Sequence, residues 1–214
     1  IVKESGFKKL STSLTSSFKF TESRRLGLDL NFLYANTTTN AAPISNDAGF
    51  QGSLIGTALQ WNPTHPLRKP NDSIWVDNNL GATTVNPLAL LAAYEDKSVV
   101  NNIIASISPS YKIMRNMEVR MLYAMNYSQG ERRTEIRKWL NLLGNQGSAQ
   151  IQNSRQVNQT LNYTLSYTPQ LTKNISLNTV IGYEYLKFDQ IGSGMSSNRF
   201  FDYPGLRYTD YMQN

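Results

Sequence analysis

"VNQTLNYTLSYTPQLTKNISLNTVIGYEYLKF", residues 157–188, sorts its side chains onto two faces. Val157, Leu161, Tyr163, Leu165 and Tyr167 take odd positions, while Asn158, Thr160, Asn162, Thr164 and Ser166 take even ones. Beyond a short turn the alternation resumes, with Ile175, Leu177, Ile181, Tyr183 and Tyr185 set against Ser176, Asn178 and Glu184. Residues two apart share a strand face, so this is a β-hairpin with one apolar side. What decides the fold is whether that side meets a protein core or lipid.

The pattern recurs towards the N-terminus. Leu10, Leu14, Phe18 and Phe20 alternate with lysine, serine and threonine, and Leu26, Leu28, Leu30, Phe32 and Tyr34 with Gly27, Asp29 and Asn31. Further stripes run through Val99, Ile103, Ile107 and Tyr111, and through Met117, Val119, Met121, Tyr123, Met125 and Tyr127. Six strands are predicted, at about residues 8–20, 26–36, 99–111, 117–127, 155–168 and 174–188. Their connectors alternate between short (21–25, 112–117, 168–174) and long (37–98, 128–154, 189–214), which describes an antiparallel up-and-down meander.

Three features favour lipid. Soluble strands average about 5–6 residues, whereas a tilted crossing of a bilayer takes about 9–11. The polar faces are largely Asn, Ser, Thr and Gln, as in the wall of a wet lumen, with few of the Lys and Glu usual on a soluble surface. Phe20, Tyr111 and Tyr167 border short turns, while Tyr34, Tyr127, Tyr183 and Tyr185 lie near long loops, giving two aromatic belts. The chain is therefore predicted to be all-β, one partial transmembrane barrel domain over 1–214, with short periplasmic turns, long extracellular loops and no plug domain. Leu161, Leu165, Leu177 and Ile181 are expected to face lipid. Asn158, Asn162, Asn178, Glu184, Glu118 and Arg120 are expected to line the lumen. Barrels of this kind begin at about eight strands, and edges left in lipid would carry unsatisfied backbone groups, so either more of this chain or other chains are expected to complete the wall.

Composition agrees. With 214 residues, 40% of them hydrophobic, and a longest apolar run of "LALLAAY" (88–94), no helical span is present. The net charge of +6 lies mostly in connectors, with no basic stripe, so nucleic acid is not an expected partner. There is no cysteine, hence no disulfide framework.

Longer stretches carry a family likeness. "KESGFKKLSTSLTSSFKFTESRRLGLDLNFLYANT" (3–37), "NPLALLAAYEDKSVVNNIIASISPSYKIMRNMEVRMLYAMNYS" (86–128) and "LTKNISLNTVIGYEYLKFD" (171–189) resemble barrel hairpins of the SusC/RagA family of TonB-dependent outer-membrane transporters. The resemblance implies a 22-stranded plugged barrel, of which this would be an early part, in the outer membrane of a Gram-negative, Bacteroidetes-like bacterium. It implies import of glycans or oligopeptides, a SusD-like surface lipoprotein as partner, and energy from TonB acting on a segment outside this sequence. The alternative is a soluble or surface-exposed β-sheet module for carbohydrate binding or adhesion.

No catalytic set, metal site or cofactor is predicted, and the chain is not expected to be an enzyme. His65, the single histidine, reads as a surface loop residue, and the adjacent Glu95 and Asp96 would diverge from one another. Gly192-Ser-Gly194 reads as loop flexibility. Residues 50–61 and 86–94 have helical spacing, and "TEIRKWLNLL" (134–143) would set Ile136, Trp139, Leu140 and Leu143 on one helical stripe. Trp61, Trp75, Tyr94 and Trp139 are the candidate loop contacts to substrate or to the partner lipoprotein. Arg132, Arg133 and Arg137 read first as an ordinary solvated helix face, with contact to lipopolysaccharide phosphates among the outer-membrane lipids as the alternative.

Overall fold

In the computed structural model, residues 4–20, 25–44, 53–76, 85–140 and 146–212 are described. The strands are β1 (Gly6–Phe20), β2 (Leu26–Asn40), β3 (Tyr94–Met114), β4 (Met117–Ile136), β5 (Ser148–Tyr167), the two short strands β6 (Gln170–Thr172) and β7 (Ile175–Ser176), and β8 (Thr179–Asn198). The six long ones form a single antiparallel sheet in the order β1-β2-β3-β4-β5-β8, so each pairs with its neighbour in sequence. Three short helices complete the described fold: α1 (Leu54–Gln60), α2 (Pro87–Ala93) and α3 (Tyr208–Tyr211).

Register turns six separate alternations into two continuous faces. One row of directly opposed residues reads Phe20, Leu26, Tyr111, Val119, Leu165, Ile181 across all six strands. A higher row on the same face reads Thr12, Tyr34, Ile103, Tyr127, Val157, Asp189. Opposed residues point the same way, so the apolar stripes share one side. Between these rows each inner strand contributes about nine residues, the length of a tilted crossing. Above them polar residues take over, in the row Leu10, Asn36, Asn101, Gln129, Arg155, Ile191. On β8 the aromatics stop lower, at Tyr183 and Tyr185 opposite Tyr163 and Leu161. A stepped band is what tilted strands require, because opposed residues then lie at different heights.

The strands outrun their predicted ends. Residues 37–40, 94–98, 128–136 and 189–198 continue the sheet instead of forming loops, so Arg132, Arg133 and the Gly192-Ser-Gly194 triplet lie within strands. In these extensions both faces are polar, and periodicity loses its contrast. At the other end β8 starts at Thr179, not at 174. The predicted turn folds instead as the small β6–β7 hairpin, with Leu177 N–H donating to Pro169 C=O at 3.0 Å. Leu177 and Asn178 therefore belong to a link and not to a wall strand.

Helices α1 and α2 match the predicted segments, although 50–52 lie outside the described residues. The helix expected over 134–143 is absent from its described part: 134–136 end β4 and 138–140 form a turn, while Leu143 lies outside the described residues. Ile136 and Leu140 still face the same cluster, one from a strand end and one from a turn. That small core joins Leu54, Val85, Ala89, Leu90, Ala93 and Leu140, with Ile136 and Ile74 packed against it. Asn86 fixes its geometry. Its Oδ1 accepts the Leu88 N–H (2.9 Å) ahead of Pro87 at the first helical position, and its amide donates to Leu67 C=O (2.8 Å) and Trp75 C=O (2.9 Å).

Candidate functional site

The polar face is assembled by the same register. From the turn end upward it presents Ser17 opposite Asp29, joined by a 2.6 Å hydrogen bond, and Asn31 donating to Ser106 at 3.2 Å. Asn158, Asn162, Glu184, Glu118 and Arg120 all lie on this face, and Leu161, Leu165 and Ile181 all lie on the other. Arg120 Nη2 stands 3.5 Å from Glu118 Oε1, so their charges balance locally.

At its upper end the polar face carries a fixed arginine. Asp96 is 5% exposed and receives Arg132 in a bidentate grip, Nε to Oδ1 at 2.9 Å and Nη2 to Oδ2 at 2.6 Å. Tyr94 Oη donates to the same Oδ2 at 3.3 Å. A planar fork matched to a carboxylate removes side-chain freedom and strengthens both hydrogen bonds. Those bonds hold the Arg132 guanidinium above its ordinary value, so it stays charged. Burial first, and the Asp96 charge second, push the Tyr94 hydroxyl up, keeping it a neutral donor.

The opposite face is covered at the same height by residues 199–212. Tyr208 is fully buried, its ring stacked on Phe200 at 4.6 Å, and its hydroxyl donates to Asp202 while accepting the Lys138 N–H at 2.9 Å. Beneath it Glu135, 3% exposed, accepts from the Thr209 N–H (3.2 Å) and hydroxyl (3.3 Å), with Arg137 Nη2 3.1 Å from its other oxygen as an ion-pair contact. Gly147 has φ +79°, and a Cβ there would come within 3.0 Å of the Tyr208 ring, so both the backbone and the contact demand glycine.

The arginine cluster is thus divided. Arg132 points to the polar face, while Arg133 pairs with Glu131 at 2.7 Å and reaches Asp210 at 3.8 Å, and Arg137 serves Glu135. These guanidinium groups pair within the chain and on different faces of the sheet, so the three do not act as one set. Glu95 and Asp96 do diverge, to Arg207 at 2.9 Å and to Arg132.

The four aromatic candidates do not converge. Trp61 and Trp75 sandwich His65, with edge-to-face ring distances of 5.2 and 5.0 Å, and Trp61 Nε1 donates to His65 C=O at 3.0 Å. His65 is accordingly half-buried between indoles and not a bare surface residue. Tyr94 lies apart with Asp96, and Trp139 borders an open cleft with Tyr203, Pro204 and Leu206 beside the 199–212 segment. Sequence reasoning missed the Asp96–Arg132 grip; the signal available was an acid and a base on strands that pair.

No protein-family model matches the chain, and no curated protein does. Among solved structures it resembles the RagAB peptide importer in its open-open state, at 15% identity with a TM-score of 0.73 over 96% of this chain and 23% of that one. A second structure of the RagAB peptide transporter gives 14% identity and a TM-score of 0.69 over 92% and 22%. The closed-closed state gives 15% and 0.68 over 92% and 22%. The chain spans less than a quarter of the length of those structures, and the likeness is one of fold: a section of barrel wall.

Proposed function

We propose that this chain is wall from an outer-membrane nutrient importer, with its apolar face in lipid and its polar face bordering the lumen. The observation that carries the reading is the bare apolar band. Six stripes meet on one face in register, and no described segment of the chain covers them. Val119 (40%) and Ile181 (65%) remain exposed within it. In a soluble protein such a patch invites association; in a bilayer it is the required surface. Tyr34 Oη and Asn36 Nδ2 both donate to Asn101 Oδ1 (3.1 and 2.7 Å), and Tyr127 Oη donates to Gln129 (2.9 Å). Rings in the band with hydroxyls aimed at amides above it suit a membrane boundary.

The likeness to a peptide importer favours oligopeptides over glycans as cargo. A SusD-like lipoprotein would meet the loop end, where α1, α2 and residues 61–75 gather, and TonB would act through a segment outside this sequence. Trp61, Trp75, Tyr94 and Trp139 then serve mainly to build that end.

These 214 residues contain no cysteine, so once any cysteines elsewhere in the full-length protein are replaced by serine, a direct test is open. Nitroxide labels are placed singly at Leu165→Cys and Thr164→Cys in the full-length protein in vesicles. The label at 165 should be relaxed by oxygen and shielded from a water-soluble nickel chelate, and the label at 164 the reverse. Equal nickel access at both positions would count decisively against a lipid-facing band and for a soluble module.

A further inference from the structure

Residues 199–212 divide their apolar side chains into two sets. Phe200 and Tyr208 stack on each other where the segment is fastened to the sheet, whereas Phe201, Tyr203 and Leu206 are left exposed. Trp139, from the turn after β4, is exposed beside them. An open cleft of about 300 Å³ lies between Trp139 and residues 202–206, with Arg137 also lining it. Its walls are fixed. Leu206 N–H donates to Tyr203 C=O at 3.3 Å across Pro204-Gly205, and Gly205 takes φ +81°, as the third residue of a type II turn does. Arg137 Nη1 then donates to Leu206 C=O at 2.9 Å.

Height decides what could fill the cleft. Ile151, buried at this level, lies six residues along β5 from Val157 at the top of the band. That is about 20 Å along the strand and, on a tilted strand, about 15 Å in height. Headgroups occupy only about 5–8 Å beyond the hydrocarbon edge. Acyl chains and lipid phosphates therefore stop short of the cleft, and the sugars of lipopolysaccharide are what surrounds an outer-membrane wall there. The cleft also lies on the face that carries the apolar band, so cargo in the lumen does not reach it.

We infer that this cleft stacks a neutral pyranose of the lipopolysaccharide core on Trp139 and Tyr203. The inference rests on the outer-membrane reading and adds a glycolipid contact outside the wall. A pyranose shows an apolar face of C–H bonds, whose slight positive charge suits the negative face of an aromatic ring. Its hydroxyls lie at the edge. The cleft offers a matching surface, apolar at Trp139, Pro204 and Leu206, with the Tyr203 hydroxyl and the Asp202 carboxylate beside it. Asp202 Oδ1 accepts from Tyr208, which leaves Oδ2 for a sugar hydroxyl. In water an exposed apolar patch of this kind calls for an occupant.

The test uses the full-length protein in detergent and saturation-transfer NMR. The probe is lipopolysaccharide core oligosaccharide, freed of lipid A and of phosphate, with maltohexaose run separately. Saturating the aromatic protons of the protein should carry over to ring C–H protons of the core sugar. Trp139→Ala and Tyr203→Ala should each raise its dissociation constant about tenfold, the loss of one stacking face. Trp139→Phe, which keeps such a face, should change it less than about threefold. Proteolysis at Arg199, which reports the Tyr208 lock, should be unchanged in all three; if Trp139→Ala loosens the segment, Tyr203→Ala and Trp139→Phe decide. No transfer to the core sugar, transfer indifferent to the alanine variants, or Trp139-dependent transfer to maltohexaose alone would each overturn the inference. If the label contrast at 164 and 165 holds while transfer fails, the cleft alone falls and the wall reading stands.

Discussion

Ile151 on β5 and Ile181 on β8 lie on the same face of the same sheet, yet the first is 1% exposed and the second 65%. Above the band, the 199–212 segment lies over Ala149 and Ile151 and locks itself with Tyr208, Asp202, Thr209 and Glu135. Below it, no described residue covers the face. Fully burying an isoleucine stabilises by about 1.5–3 kcal/mol, so the chain covers its apolar surface where the surroundings are water. For the uncovered half, the proposed bilayer would perform the same service.

The contrast breaks most readily at its covered end. Tyr208→Ala removes a buried ring and a hydroxyl with two partners, and should cost about 3–5 kcal/mol, detaching residues 199–212. Limited proteolysis at Arg199 and Arg207 should become rapid while the sheet stays intact. The uncovered end is tested by a pair on one strand. Leu165→Arg should cost about 2–4 kcal/mol in the bilayer, whereas Thr164→Arg should be close to neutral. Urea titration of the full-length protein in vesicles gives both values, and equal costs would erase the distinction between the faces.

A smaller effect comes with pH. Burial, with the Asp202 hydrogen bond, pushes the Tyr208 hydroxyl up. The folded state thus holds that proton more tightly than the unfolded chain. Its support is complete below the ordinary tyrosine value of about 10 and fades as pH rises beyond it. Proteolysis at Arg199 should accelerate between about pH 10 and 11 and show no such change between about pH 7 and 9, and Tyr208→Phe should abolish the acceleration.

Much of this was legible in advance, for reasons particular residues make plain. Leu161, Leu165 and Ile181 against Asn158, Asn162 and Glu184 are separated by period alone, and pairing register then aligned them. Strand ends were not legible. From Gln129 to Thr134, and from Asp189 to Asn198, both faces are mostly polar, and alternation has nothing to contrast. Ile136, Trp139 and Leu140 imitate helical spacing because a strand end and a turn deliver two of them to one core. The Trp61–His65–Trp75 sandwich and the Asp96–Arg132 grip depend on loop packing and on strand pairing, neither of which leaves a local trace.

The neighbour-to-neighbour strand order also bears on assembly. β3 and β4 meet across Arg115 and Asn116, whereas β2 and β3 are separated by residues 41–93. Closing the longer loop costs roughly 3 kcal/mol more by chain-entropy scaling. The plate β3–β4–β5–β8 should therefore zip together first, with the β1–β2 hairpin joining afterwards. Pulsed hydrogen exchange during refolding should protect the amides that pair β4 with β5 before those that pair β2 with β3. The seam between Tyr34 and Ile103 would then be the last suture drawn in this part of the wall.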